Sequence, residues 1–304
     1  MEIYTSDVKT VSSFIPQFHI PRADSHKGQN GKLLIIGGSQ LFHAASLWAA
    51  ETAAYYVDMV HFCSTIQNNE LYQSAKHKFS NGIVVLRADL EHYIQEDNTI
   101  LIGPGMIRTE AKLSAYPEIH SFNDIINIED EAMFAALLTR YLLQHGANKK
   151  LVIDAGALQM TDPDWFLQTE ADVIITPHLL EFERVFGIDL HQKSLGEKKQ
   201  IVQEISQKYN ITILLKAIDD VVSSKGQTVV IHGGNAGLTK GGSGDTLAGL
   251  TASLFATNTN IVSAVLASFL VKKSADILFE EKGYWYNIYN LIDKIPSQLK
   301  IITL

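Results

Sequence analysis

Residues 240–249 read Lys-Gly-Gly-Ser-Gly-Asp-Thr-Leu-Ala-Gly, with three glycines in four positions just ahead of a carboxylate and a helix-forming run. Glycine lets backbone N–H groups turn inward and lets an anion approach closely. The start of a helix adds the positive end of its dipole. The segment therefore predicts an anion hole, with Asp245 at its mouth on the first helical turn. A carboxylate placed there can take the proton of a hydroxyl that is being phosphorylated, while the hole stabilises charge on the transferring phosphoryl group. The plainer account is a glycine-rich loop with Asp245 as an ordinary capping residue. The glycine cluster, set between a strand and an Ala-rich helix, favours the chemical one. The spacing is neither a Walker A loop, since no Gly-Lys-Ser or Gly-Lys-Thr follows, nor the GxGxxG of a dinucleotide fingerprint.

Such a loop needs elements to hold it, and the chain alternates in a way that supplies them. Apolar runs at 32–38, 59–65, 82–86, 99–103, 151–154, 172–176 and 211–216 read as short buried strands. Stretches at about 44–57, 129–146, 178–186, 195–209, 244–256 and 261–280 read as helices, and 219–223 with 228–231 as a hairpin. Strands alternating with helices imply an α/β fold with a mostly parallel central sheet covered on both faces. In such sheets ligands sit beyond the carboxyl ends of the strands. Gly103 and Gly105, His178, and Lys216 with the following Ala217-Ile218-Asp219-Asp220 all fall at predicted strand ends, and Ala44 opens a predicted helix. One domain over 1–304 is expected, with 1–31 as an N-terminal arm and 106–130 as an irregular excursion.

The composition bounds the rest. Apolar residues make up 46% of 304 residues, enough for a large core, and the net charge of −8 disfavours nucleic acid as a partner. The single cysteine, Cys63, cannot form an internal disulfide and reads as a small buried hydrophobe. With no basic and apolar leader and no run of about 20 apolar residues, a cytoplasmic location away from membranes is expected. The histidines show no zinc spacing, so no structural metal is expected.

Residues 235–249, Asn-Ala-Gly-Leu-Thr-Lys-Gly-Gly-Ser-Gly-Asp-Thr-Leu-Ala-Gly, resemble the signature of the ADP- or ATP-dependent NAD(P)H-hydrate dehydratases, which are ribokinase-like enzymes. Ser25-His-Lys-Gly28, Leu34-Ile-Ile-Gly-Gly-Ser39, Gly103-Pro-Gly105, Val152-Ile-Asp-Ala155, Thr176-Pro-His178 with Glu181, and Leu215-Lys216 follow in the family's order. The resemblance implies a ribokinase-like three-layer sandwich that restores hydrated NADH or NADPH. The hydrate hydroxyl is phosphorylated from ADP or ATP and phosphate then leaves. It implies Asp245 as the base, Gly242, Ser243 and Gly244 as the anion hole, Lys216 to Asp220 with Gly244 as nucleotide-binding, and Ala44, Gly103, Gly105, His178 and Asp245 as substrate-binding. It further implies a homo-oligomer.

The chain departs from the pattern at several points. Leu179-Leu180 stands for Pro-Gly, Gly156 for Asp, Ala217 for Gly, and 268–276 for a His-Gly-x-Ala-Gly-Asp segment. Another ribokinase-like kinase of the hydroxymethylpyrimidine type, or an inactive nucleotide-binding paralogue, would share the loop. With Lys216 and Lys240 the only cations expected near it, a Mg²⁺ carried by nucleotide oxygens and water is expected to complete the charge balance.

Overall fold

The computed structural model describes residues 1–74, 82–109, 116–117 and 119–304. Ten strands form one sheet: β1 Glu2–Tyr4, β2 Lys32–Ile36, β3 Met59–Cys63, β4 Gly82–Val84, β5 Thr99–Ile102, β6 Lys150–Ile153, β7 Asp172–Ile175, β8 Thr212–Leu215, β9 Asp220–Ser224 and β10 Gln227–His232. Their spatial order is β1-β10-β9-β8-β7-β6-β5-β2-β3-β4. From β8 to β4 every neighbour is parallel, and the β9–β10 hairpin supplies the antiparallel pairs. The chain lays β3 and β4 to one side of β2 and β5 to β8 to the other. The order therefore reverses between β2 and β5, where an open α/β sheet leaves a crevice.

Eleven α-helices accompany it among the described residues: α1 Ala44–Ala53, α2 Ile66–Ser74, α3 Leu90–Glu96, α4 Phe122–Ile126, α5 Glu131–His145, α6 Ala155–Gln159, α7 Leu179–Phe186, α8 Leu195–Tyr209, α9 Ser243–Phe255, α10 Asn260–Lys282 and α11 Ile288–Thr303. The strands alternate by face, as the pleat requires. Leu33 and Ile35 of β2 join a cluster with α1, α9, α10 and α11, while Leu34 and Ile36 join another with α5 to α8. The result is the expected three-layer arrangement. Helices α1 and α9 meet backbone to backbone: a Cβ on Gly249 would stand 2.5 Å from the Ala49 carbonyl oxygen.

Two expectations are corrected. Residues 1–31 are not a loose arm, because β1 pairs in parallel with β10 and Ile3, Val11 and Phe14 are buried in the core. A three-residue strand carries too little periodicity to announce itself; its partner is more than 220 residues away. The 106–130 excursion contains α4, whose start is secured by a Ser121–Asp124 capping box. Residues 110–115 and 118 of that excursion lie outside the described residues. Cys63 ends β3 fully buried, and burial pushes its thiol up to about 12, in keeping with an inert hydrophobe.

Candidate active site

The site is built at the carboxyl ends of β6, β7 and β8, facing the start of α9. Gly242 takes φ 102°, a conformation that favours glycine, and so turns the chain into α9. The Ser243 hydroxyl folds back onto the Leu238 carbonyl at 2.6 Å and its amide onto Lys240 O at 3.3 Å. Ser243 thus fastens the turn, which takes its amide out of the expected anion hole, and Gly244 presents an open first-turn amide of the helix. At the far end of α9 the Lys150 ammonium donates to the carbonyls of Phe255 (2.8 Å) and Asn258 (2.9 Å), complementing the dipole.

Gly244 is helical, and a Cβ there would meet nothing nearer than the Lys216 ammonium at 3.6 Å. Lys216 is not a solvated lysine. Its Nζ bonds Asp154 Oδ1 at 2.9 Å and stands 3.7 Å from Glu181 Oε2. Burial works against its charge, but Asp154 and Glu181 prevail and hold its pKa above the ordinary lysine value. Asp154 also accepts the Thr176 hydroxyl at 2.7 Å, and Glu181 accepts the Gln159 amide at 3.1 Å. Burial first, then the carboxylates of Asp154 and Glu181, push Asp245 up to about 7 against the opposing pull of Lys216. A carboxyl that titrates near neutrality beside helix-start amides has the pKa of a general base. Asp154 and Glu181 were visible only as members of short motifs; nothing local in the sequence shows that they converge on Lys216 and Asp245.

His178 caps α7. Its Nδ1 accepts the Glu181 amide at 3.2 Å while Glu181 Oε2 accepts the His178 amide at 2.9 Å. Leu179-Leu180 therefore leaves Glu181 in place. Burial lowers the His178 pKa and Lys216 assists, against the Glu181 carboxylate, so a neutral ring with its proton on Nε2 is favoured. The ends of β7 and β8 are tied there by Lys216 N to Pro177 O at 2.7 Å.

The loop after Lys216 is built from within. Asp220 turns inward and accepts the Ala217 amide at 2.9 Å, Asp219 pairs with the His232 ring at 2.8 Å, and Ile218 stands 91% exposed. Ile218 is the most exposed of the four, and its side chain points to solvent. Lys240 is occupied by the Tyr284 carbonyl and the Tyr286 ring. The expectation that Lys216 and Lys240 are the only nearby cations is overturned by Lys272 of α10, which lies under this loop because a buried helix face 50 residues downstream packs there.

Ala44, Gly103 and Gly105 gather at the β2–β5 crevice. A Cβ on Gly103 would strike Asp154 O at 1.8 Å, and one on Gly105 would press Ala45 Cβ at 3.0 Å. Gly105, at φ 72°, holds a conformation that favours glycine, and Gly103 is required by the close approach of backbones. Gly156 has the same cause: a Cβ there would stand 2.1 Å from Met106 O. Among the described residues one group of metal-ligand type, Glu183, Asp189 and His191, lies on exposed or half-buried surface, where Asp189 already holds His191 at 2.8 Å.

The family model for NAD(P)H-hydrate dehydratase matches residues 33–297. The bifunctional NAD(P)H-hydrate repair enzyme Nnr of Methanocaldococcus jannaschii is 34% identical over 92% of this chain and 50% of its own length. The chain thus spans about half the length of the bifunctional relatives. The ADP-dependent (S)-NAD(P)H-hydrate dehydratase of Nitrosopumilus maritimus is 26% identical over 96% of this chain and 97% of its own. Two crystal structures share the fold. One is the Bacillus subtilis ADP/ATP-dependent NAD(P)H-hydrate dehydratase co-crystallised with ATP and Mg²⁺, with a TM-score of 0.75 at 23% identity over 97% of each chain. The other is a ribokinase-like superfamily protein of Enterococcus faecalis, with a TM-score of 0.75 at 21% identity over 99% of this chain and 96% of that one. The motif order, the ribokinase-like architecture and a sequence match that runs almost end to end place this chain in the NAD(P)H-hydrate dehydratase family.

Proposed function

We propose that the protein dehydrates hydrated NADH or NADPH with an adenine nucleotide, ADP or ATP, releasing phosphate and the reduced dinucleotide. The observation that carries this reading is Asp245, a carboxyl poised near pH 7 between Lys216 and the start of α9. The hydrate hydroxyl attacks the terminal phosphorus of the nucleotide and the phosphoryl bond to the shorter nucleotide breaks. Asp245 takes the hydroxyl proton. The Gly244 amide at the start of α9, with Lys216, bears the charge on the transferring group. The ring nitrogen then expels phosphate from carbon and a ring proton leaves, which restores the dihydronicotinamide. Hydroxide leaves poorly and phosphate leaves well, so the nucleotide makes the elimination accessible.

In this reading Lys216 to Asp220 with Gly244 line the nucleotide. Ala44, Gly103, Gly105 and His178 line the dinucleotide along the crevice, with the neutral His178 Nε2–H available to its ring or ribose. Nucleotide oxygens and water would hold a Mg²⁺, which neutralises phosphate charge when bound. A Cβ on Gly244 would face the Lys216 ammonium at 3.6 Å, which supports a phosphate between the two. A homo-oligomer belongs to the same reading and sedimentation velocity tests it.

The deciding experiment incubates the protein with hydrated NADH or hydrated NADPH and each nucleotide, following phosphate release and recovery of reduced-nicotinamide absorbance together. Both signals are expected in equal amounts. Nucleotide consumption on a hydroxymethyl substrate without elimination would favour a kinase instead, and nucleotide binding with neither signal an inactive paralogue.

A further inference from the structure

Lys272 of α10 is 4% exposed, and its ammonium is enclosed by oxygen. It donates to the main-chain carbonyls of Ile218 at 2.7 Å, Gly233 at 3.2 Å and Ala217 at 3.3 Å, and stands 3.4 Å from Asp220 Oδ1. Asp220 is itself held by the Ser268 hydroxyl at 2.7 Å, one helical turn before Lys272. One turn after it, Asp276 accepts the Gly234 amide at 3.1 Å and the Thr5 hydroxyl at 2.5 Å, and the Ala275 carbonyl accepts the Asn235 amide at 2.8 Å. One face of α10 therefore grips two separate loops. The first is the strand-end loop from Lys216 to Asp220. The second, from Gly233 to Asn235, leads directly into the anion hole.

Three carbonyl oxygens and a carboxylate around one positive point are the donors that a monovalent cation takes, and here the cation is covalently attached to a helix. A buried charge is stable only with such a complete set of partners, and the carbonyls in turn need a donor. Ser268 and Lys272 belong to the 268–276 segment, where the chain departs from the family pattern. We propose that Lys272 is a positioning residue: its ammonium serves as a built-in cation that sets the nucleotide loop against the anion hole. The carbonyls of Ala217 and Ile218 turn down into α10, and the Ile218 side chain is left standing outward to meet a base. The inference rests on the reading of 216–220 as the nucleotide loop.

Calorimetric titration of ADP and ATP into wild type, Lys272→Met and Lys272→Ala tests it, alongside the KM for hydrated NADH and thermal melts. Loss of charge-assisted contacts should weaken nucleotide binding about tenfold or more while the KM for the hydrate moves less than about twofold. In Lys272→Ala, ammonium ion should restore much of the lost affinity, tetramethylammonium at equal ionic strength should restore none, and wild type should ignore both. Where a lone buried Asp220 prevents purification, Lys272→Met combined with Asp220→Asn serves, since it leaves no unpaired charge. Nucleotide affinity unchanged in the variants overturns the proposal. So does a parallel loss of nucleotide and hydrate affinity with a collapsed melting temperature and no ammonium rescue. Failure of wild type itself to bind nucleotide overturns the nucleotide-loop reading instead.

Discussion

Asp245 carries two opposed demands. Its carboxyl sits near 7 because burial and two neighbouring carboxylates disfavour its charge, yet a base must be ionised to work. In the free enzyme kcat/KM should therefore rise with pH through about 7 and level off above, falling about tenfold per unit well below it. Asp245→Asn should cut turnover on the order of 100-fold or more while nucleotide still binds, as phosphate-release and calorimetric measurements would show. The same substitution should raise stability. The folded pKa lies above the ordinary value of 3.8, so the stability this group lends is complete below about 4 and lost as pH rises through 7. The asparagine variant should melt above wild type at pH 8 and merge with it towards pH 4. A lower melting point at pH 8 would show that burial is not what perturbs Asp245. Asp245 was legible because its glycines are its sequence neighbours. Asp154, Glu181 and Lys216 come from three other strand ends, and only the sheet brings them within reach of one another.

At the level of elements, α9 gives its two glycines different tasks. Gly242 has φ 102° and a Cβ there would press Trp48 and Ile288 at 2.7 Å, so Gly242→Ala should destabilise the fold by roughly 1–3 kcal/mol, read from denaturant melts. Gly244 is helical with open space towards Lys216. Gly244→Val should keep the melting temperature close to wild type while weakening nucleotide binding by calorimetry; equal affinity would remove the start of α9 from the phosphate site. Most long helices and buried strands were legible from periodicity. Helix α11 was not: Pro296 lies inside it, and its apolar residues pack against α10 rather than the sheet. Helix α2 was missed because its residues are largely polar, with Asn68 and Asn69 buried by bonds to Ser39 and Ser64 rather than by apolar contact.

For the whole molecule, the balance of charge sets the expectations. A chain of net charge −8 must bring a polyphosphate and a dinucleotide together with few cations at the site. Chelation by EDTA should stop turnover yet leave the melting temperature without nucleotide unchanged, since the Mg²⁺ would belong to the nucleotide rather than the fold. Full activity in chelator would refute this. No described helix is long and apolar enough to cross a membrane. The layered architecture was legible because continuous apolar runs, buried on both faces, alternate with helical stretches and feed two cores. The edge formed by β1 was not, since a three-residue strand takes its meaning from β10. The missing side chain at Gly249 has a further effect. With the backbones of α1 and α9 in contact there, Ala44 at the head of one helix and Asp245 at the head of the other cannot slide apart. A single methyl at position 249 would force the two helices apart and shift Asp245 against the β2–β5 crevice without touching any group that does chemistry.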